Sequence, residues 1–132
     1  MKRETKGYAL VLVLFSVLAL LIYGAYSPAR KAQKQQIFCI KFKNGIENRA
    51  IEHHMHDFAG LKHEIKEIVN YSAGRTILTG KASEGYDVMH YLTFQSEEDM
   101  KKFEKSAAYK EFVQDNQENW EKVLVVNAEI QP

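Results

Sequence analysis

Three segments of this 132-residue chain alternate so that apolar side chains fall on both sides of an extended strand. In residues 37–43, Phe38, Ile40 and Phe42 face one way and Ile37 and Cys39 the other. In residues 87–94, Val88, Leu92 and Phe94 oppose Met89, Tyr91 and Thr93. In residues 123–128, Val123 and Val125 oppose Leu124 and Val126. Successive strand residues point to opposite faces, so a sheet built from these segments needs cover on both. The helical segments of the chain suffice for one face only. A second copy of the same sheet is the simplest remaining cover.

The amino-terminal end has a different character. Lys2, Arg3 and Lys6 precede an apolar run from Tyr8 to Tyr26 broken only by Ser16 and Gly24. That is close to the ~20 residues a helix needs to cross a bilayer core. A cleaved signal peptide fits the basic start, but Tyr23 and Pro28 spoil the small-residue positions at the exits after Ala25 and Ser27. An uncleaved signal-anchor over residues 1–26 is the preferred expectation, with a cleaved signal peptide as its alternative. Arg30, Lys31 and Lys34 on the far flank weaken the orientation signal, which favours a domain on the extracytoplasmic side. Residues 27–35 read as a polar linker and 36–132 as the folded domain.

Without Lys2, Arg3, Lys6, Arg30, Lys31, Lys34 and Glu4, the domain keeps 12 of the 18 basic and 16 of the 17 acidic residues, a net charge of −4. Nucleic-acid binding leaves a basic footprint, so no such partner is expected. Cys39 is the single cysteine, which rules out an internal disulfide, and its place in the strand pattern makes it a small buried hydrophobe.

After the first strand, Asn44-Gly45 marks a turn and Asn48 is a candidate N-cap. Ile51, Met55, Phe58, Leu61, Ile65 and Ile68 recur every three or four residues, one face of a helix. Residues 69–78 read as a second strand with a bulge or bend at Gly74. Residues 80–85 read as a loop before the third strand. Ser96 with Asp99 three residues on has capping-box spacing. A break near Ser106 then separates this helix from a further helical stretch with Tyr109, Phe112, Val113, Asn116 and Trp120 on one side. The order is β-α-β-β-α-β, an α+β, ferredoxin-like pattern with a four-stranded antiparallel sheet and its helices on one face.

The segments 37–43 (IFCIKFK), 73–75 (AGR), 84–86 (EGY), 92–96 (LTFQS) and 121–126 (EKVLVV), in this order and spacing, resemble the stress-responsive A/B barrel domain family. The resemblance covers residues 36–129 and implies a dimeric α+β barrel in which two sheets pack face to face. One plant relative in that family closes a polyketide chain with histidines and a tyrosine. Carried over residue by residue, those positions hold Gln36, Val88, Phe103 and Tyr109 here, so the resemblance implies no cyclase of that type. Gln, Val and Phe cannot exchange a proton near neutral pH.

The remaining chemical candidates are few. Glu52-His53-His54-Met55-His56-Asp57 and His63 suggest a metal, but His63 lies about 10 Å along the helix axis from His56. Only His54 approaches the apolar stripe, so a solvated helix face is the expected reading and no metal is assigned. Residues 74–82 imitate a phosphate-binding loop, with one residue too many between the glycines and Ala82 in place of the hydroxyl. His90, sharing a strand face with Val88, and Tyr109 are the pocket candidates; against them stands a hydrogen-bonded core histidine. Arg75 and Asp87 are candidate paired charges. The expectation is a membrane-tethered or exported homodimer, joined through the helix-free sheet face, non-catalytic and structural or binding a small apolar ligand, with no cofactor. The alternative is a small cofactor-free enzyme of cyclase, isomerase or monooxygenase type working through His90 and Tyr109.

Overall fold

The structure, a computed structural model, describes residues 2–25, 30–77 and 85–132. Expected features at Leu78, in most of the 80–85 loop and at 26–29, including the signal-cleavage points, lie outside the described residues. The amino-terminal run forms helix α1 (Lys2–Ala25), whose side chains are described over residues 8–19.

Strand β1 (Lys34–Phe42) is followed by α2 (Asn48–Glu64), β2 (Asn70–Arg75), β3 (Val88–Phe94), α3 (Glu97–Lys105), α4 (Ala107–Asn116) and β4 (Trp120–Glu129). The sheet order is β2-β3-β1-β4 and every neighbouring pair is antiparallel. This is the ferredoxin-like arrangement read from the sequence. β1 starts at Lys34, inside the segment expected to be linker. Its polar opening residues pair with β3 on one side and β4 on the other, and Lys34 Nζ meets Glu129 Oε1 at 2.7 Å. Ladder hydrogen bonds hold a strand end that hydrophobic periodicity cannot reveal.

α2 departs from its expected limits at both ends. Its N-cap is Glu47, without a side-chain cap bond, while Asn48 accepts from Arg75 Nη2 and donates to Glu52. The helix stops at Glu64, so Ile65 and Ile68 are buried from the turn beyond it. Gly74 makes no bulge; β2 runs in unbroken register, with Gly74 opposite Met89. The Asn44-Gly45 turn is present, with Gly45 at φ 83°, a conformation glycine adopts without strain.

Ser96 caps α3 by accepting from Asp99 N at 3.2 Å. Ser106 caps α4 by accepting from Tyr109 N and donates to Phe103 O at 2.7 Å, so one hydroxyl ends α3 and starts α4. Caps of this kind contribute about 1 kcal/mol each. Phe38, Phe58, Leu61, Leu92, Phe94, Phe103 and Phe112 form the main core between sheet and helices. Ile40, Phe42 and Val88 extend it under the start of α2.

Trp120, expected on the last helical stretch, instead opens β4. The register opposes Lys122 to Lys41 and Trp120 to Phe42, leaving Glu121 as an extra residue. A bulge of one residue reverses the strand's alternation. It returns the Trp120 indole to the helix side, beneath α2.

Candidate functional site

His54 on α2 and His90 on β3 are both fully buried and meet Nε2 to Nε2 at 2.9 Å. His90 Nδ1 lies 2.8 Å from the Tyr71 hydroxyl on β2, and Trp120 Nε1 donates to His54 Nδ1 at 3.2 Å. Four side chains from α2 and three strands thus form one hydrogen-bonded chain. Phe58 stacks on His90 with centroids 3.7 Å apart and planes 5° from parallel. Phe42 and Phe112 set ring edges against His54 at 5.1 and 5.2 Å.

The direction of the chain follows from its first member. An indole N–H can only donate, so His54 Nδ1 accepts and its neutral ring carries the proton on Nε2. That proton is donated to His90 Nε2, which places the His90 proton on Nδ1. His90 therefore donates to Tyr71, whose hydroxyl oxygen accepts. Burial favours the neutral rings: it lowers His54 from 6.5 to about 4, opposed by Asp57 and aided by His53. His90 falls to about 3 through burial and then the charge of His54. Burial also pushes the Tyr71 phenol up to about 12.

The sequence candidates are distributed differently. Both ring nitrogens of His90 are occupied, by His54 and Tyr71, so Tyr109 is not its partner. Tyr109 packs against Phe103 at 4.6 Å and Phe38 at 6.0 Å, and burial, followed by the charge of Glu104, raises its phenol. Gln36 is buried, donates to Glu104 Oε1 at 2.8 Å and leaves its own Oε1 without a partner among the described residues. Arg75 and Asp87 serve separately: Arg75 binds Asn48, while Asp87 Oδ2 accepts from Phe42 N at 2.8 Å. His53, His56 and His63 are exposed, with His53 3.0 Å from Asp57. Among the described residues no group of three or more metal-ligating side chains converges. A cleft of about 370 Å³ between α3 and the end of β4 is lined by Lys34, Glu97, Met100, Lys101, Glu104 and residues of β4, without His90 or Tyr109.

Sequence reasoning missed His54 and Tyr71 as the partners of His90, and Trp120 as the partner of His54. For His54 a signal existed: position 54 lies three residues after Ile51 and four before Phe58, inside the apolar stripe rather than at its margin.

The second candidate surface is the bare side of the sheet. Cross-strand pairing aligns Tyr91, Ile37 and Val126 in one row, and Met89, Cys39 and Leu124 in the next. Directly paired residues share a face, and this is the face opposite α2, α3 and α4. β4 is exposed on both faces: Val123 and Val125 on its helix side are 42% and 43% exposed, and Leu124 and Val126 on the bare side 43% and 40%. Cys39 is buried beneath its neighbours, and burial raises its thiol.

Comparison with known proteins agrees with this architecture. A protein of Arabidopsis thaliana superposes with a TM-score of 0.70 at 22% identity, covering 75% of this chain and 96% of its own. A hydroxynitrile lyase from Passiflora edulis gives 0.68 at 22% identity, covering 79% and 96%. A dimeric ferredoxin-like protein from Bacteroides fragilis gives 0.63 at 16%, covering 76% and 98%. No curated protein sequence matches the chain. The family model of the stress-responsive A/B barrel domain matches residues 35–130. With that match spanning most of its length, the chain belongs to the stress-responsive A/B barrel domain family.

Proposed function

We propose that this chain is a membrane-tethered, non-catalytic homodimer, structural or binding a small apolar ligand, whose copies pair through the helix-free sheet face. The observation that carries the reading is the apolar block of Ile37, Met89, Tyr91, Leu124 and Val126 on that face, with no helix among the described residues packed above it. Contiguous exposed apolar surface of this kind marks an interaction site. The dimeric Bacteroides fragilis relative supports a second copy as the cover.

The tether rests on α1. Over residues 8–19 its side chains are exposed all round, among them Leu10, Leu12, Leu14, Phe15 and Leu18. A helix apolar on every side needs an apolar solvent rather than one protein face. Ser16 donates to Leu12 O at 2.9 Å, so its hydroxyl is satisfied within the helix, as hydrocarbon requires. Among the described residues no helix is long and apolar enough to cross a membrane; the support for the tether is the apolar run from Tyr8 to Tyr26 in the sequence. The basic residues Lys2, Arg3 and Lys6 favour an inside amino terminus and an extracytoplasmic domain. The test is alkaline carbonate extraction of membranes from cells expressing the chain. The full chain is expected in the membrane pellet, and a variant lacking residues 2–25 in the supernatant. Release of the full chain by carbonate would overturn the tether.

The enzymatic alternative draws on the hydroxynitrile lyase among the structural relatives. It gains little from His90, which is sealed from solvent and has no nitrogen to offer a substrate. Proton transfer needs a group within hydrogen-bond reach of the reacting atom.

A further inference from the structure

We propose that the Trp120–His54–His90–Tyr71 chain is an acid-operated latch on β4, in which uptake of one proton by the histidine pair breaks the bond from Trp120 and frees the start of that strand. The reasoning is a count of protons and lone pairs. The two neutral rings offer four nitrogens, and all four are engaged: Nδ1 of His54 by Trp120, the two Nε2 atoms by each other, and Nδ1 of His90 by Tyr71. No lone pair remains to receive a proton without a bond being lost.

A third ring proton can keep the His54–His90 bond in one way only. One proton stays between the Nε2 atoms, and each Nδ1 carries one of its own. His90 Nδ1–H still donates to the Tyr71 oxygen, because a hydroxyl accepts as well as donates. His54 Nδ1–H then points at the Trp120 N–H, donor against donor. The Trp120 bond is therefore the one that yields. Trp120 sits beside the Glu121 bulge, where the ladder to β1 is already irregular. The latch thus acts at the least regular point of that pairing.

The surrounding charges set where the latch opens. From α2, Asp57 favours proton uptake by His54 and His53 opposes it. From β3 and β2, His90 and Tyr71 are the titratable groups in the chain itself. Both rings lie below their unfolded value of 6.5, so the stability they confer is complete above that pH and is lost as pH falls towards about 4 and about 3. Because β4 carries Leu124 and Val126, opening also loosens pairing of copies; that consequence rests on the dimer reading, whereas the latch does not.

Trp120 is the only tryptophan, so emission from the full chain in nonionic detergent micelles reports this site alone. The expected result is a reversible change in Trp120 emission as pH falls from 6.5 towards about 4, with far-UV circular dichroism retained. His54→Gln, which can still accept from the indole but does not titrate, should abolish that change. Should this variant not fold, the ring proton resonances of the unmodified protein decide: those of His54 and His90 must share the Trp120 midpoint. Emission that stays constant until dichroism is lost, a transition that survives His54→Gln, or a midpoint following exposed His53, His56 and His63 instead would each overturn the latch.

Discussion

Replacing Phe58 with alanine is expected to destabilise the domain by roughly 3–5 kcal/mol, the range for removing a fully buried phenylalanine. Phe58 is sealed between α2 and the sheet, and its ring touches three parts of the core at once. It stacks on His90 at 3.7 Å and on Tyr71 at 5.7 Å, and meets Phe112 edge-on at 5.0 Å. Its loss removes apolar burial and also leaves a void beside a buried polar chain, where water can enter. For a domain of about 100 residues each kcal/mol moves the melting temperature by roughly 4–8 °C, so a fall of about 12 °C or more is expected. Urea unfolding of residues 30–132 should show a lower midpoint with an unchanged slope. A loss below about 1 kcal/mol would mean that the core relaxes around the gap far better than surveyed cores do. Hydration of His90 should also raise its proton affinity, moving the Trp120 emission change to higher pH.

The double substitution Leu124→Asp with Val126→Asp is expected to leave the protomer folded and abolish its pairing. Both side chains are about two-fifths exposed in the single copy, so carboxylates there stay hydrated and intrachain packing changes little. In a face-to-face pair the same positions come from both copies, bringing four unpaired carboxylates into one dry layer. Desolvating an unpaired charge costs several kcal/mol, and each 1.4 kcal/mol is tenfold in affinity, so dissociation should rise by about a thousandfold or more. Lys102→Asp, on the exposed side of α3, should leave pairing intact. Light scattering across a dilution series distinguishes these outcomes. An unaltered pair in the double variant would place the interface elsewhere.

The topology and the two-faced strands were legible because a period of two survives in Phe38, Ile40, Val88 and Leu92 whatever the rest of the chain does. The cap at Ser96 was legible for a similar reason, since it acts over three residues of local sequence, whereas Ser106 was legible only as a break between helices. What escaped depends on contacts distant along the chain. His54 and His90 lie 36 residues apart, and Trp120 lies 66 from His54. Tyr71 rather than Tyr109 reaches His90 because the β2–β3 register sets Tyr71 opposite Leu92, beside it on the helix side. The bulge at Glu121 left no mark, since one inserted residue changes the phase of a strand without changing its composition. Gly74, which suggested a bulge, lies instead in regular pairing with Met89.

The central claim, that one copy cannot cover its own sheet, is tested most directly by the mass in solution of residues 30–132 at micromolar concentration. Sedimentation equilibrium should return twice the protomer mass, stable over a tenfold dilution. A single-protomer mass from a folded sample, with the Ile37, Leu124 and Val126 face open to water, would contradict it.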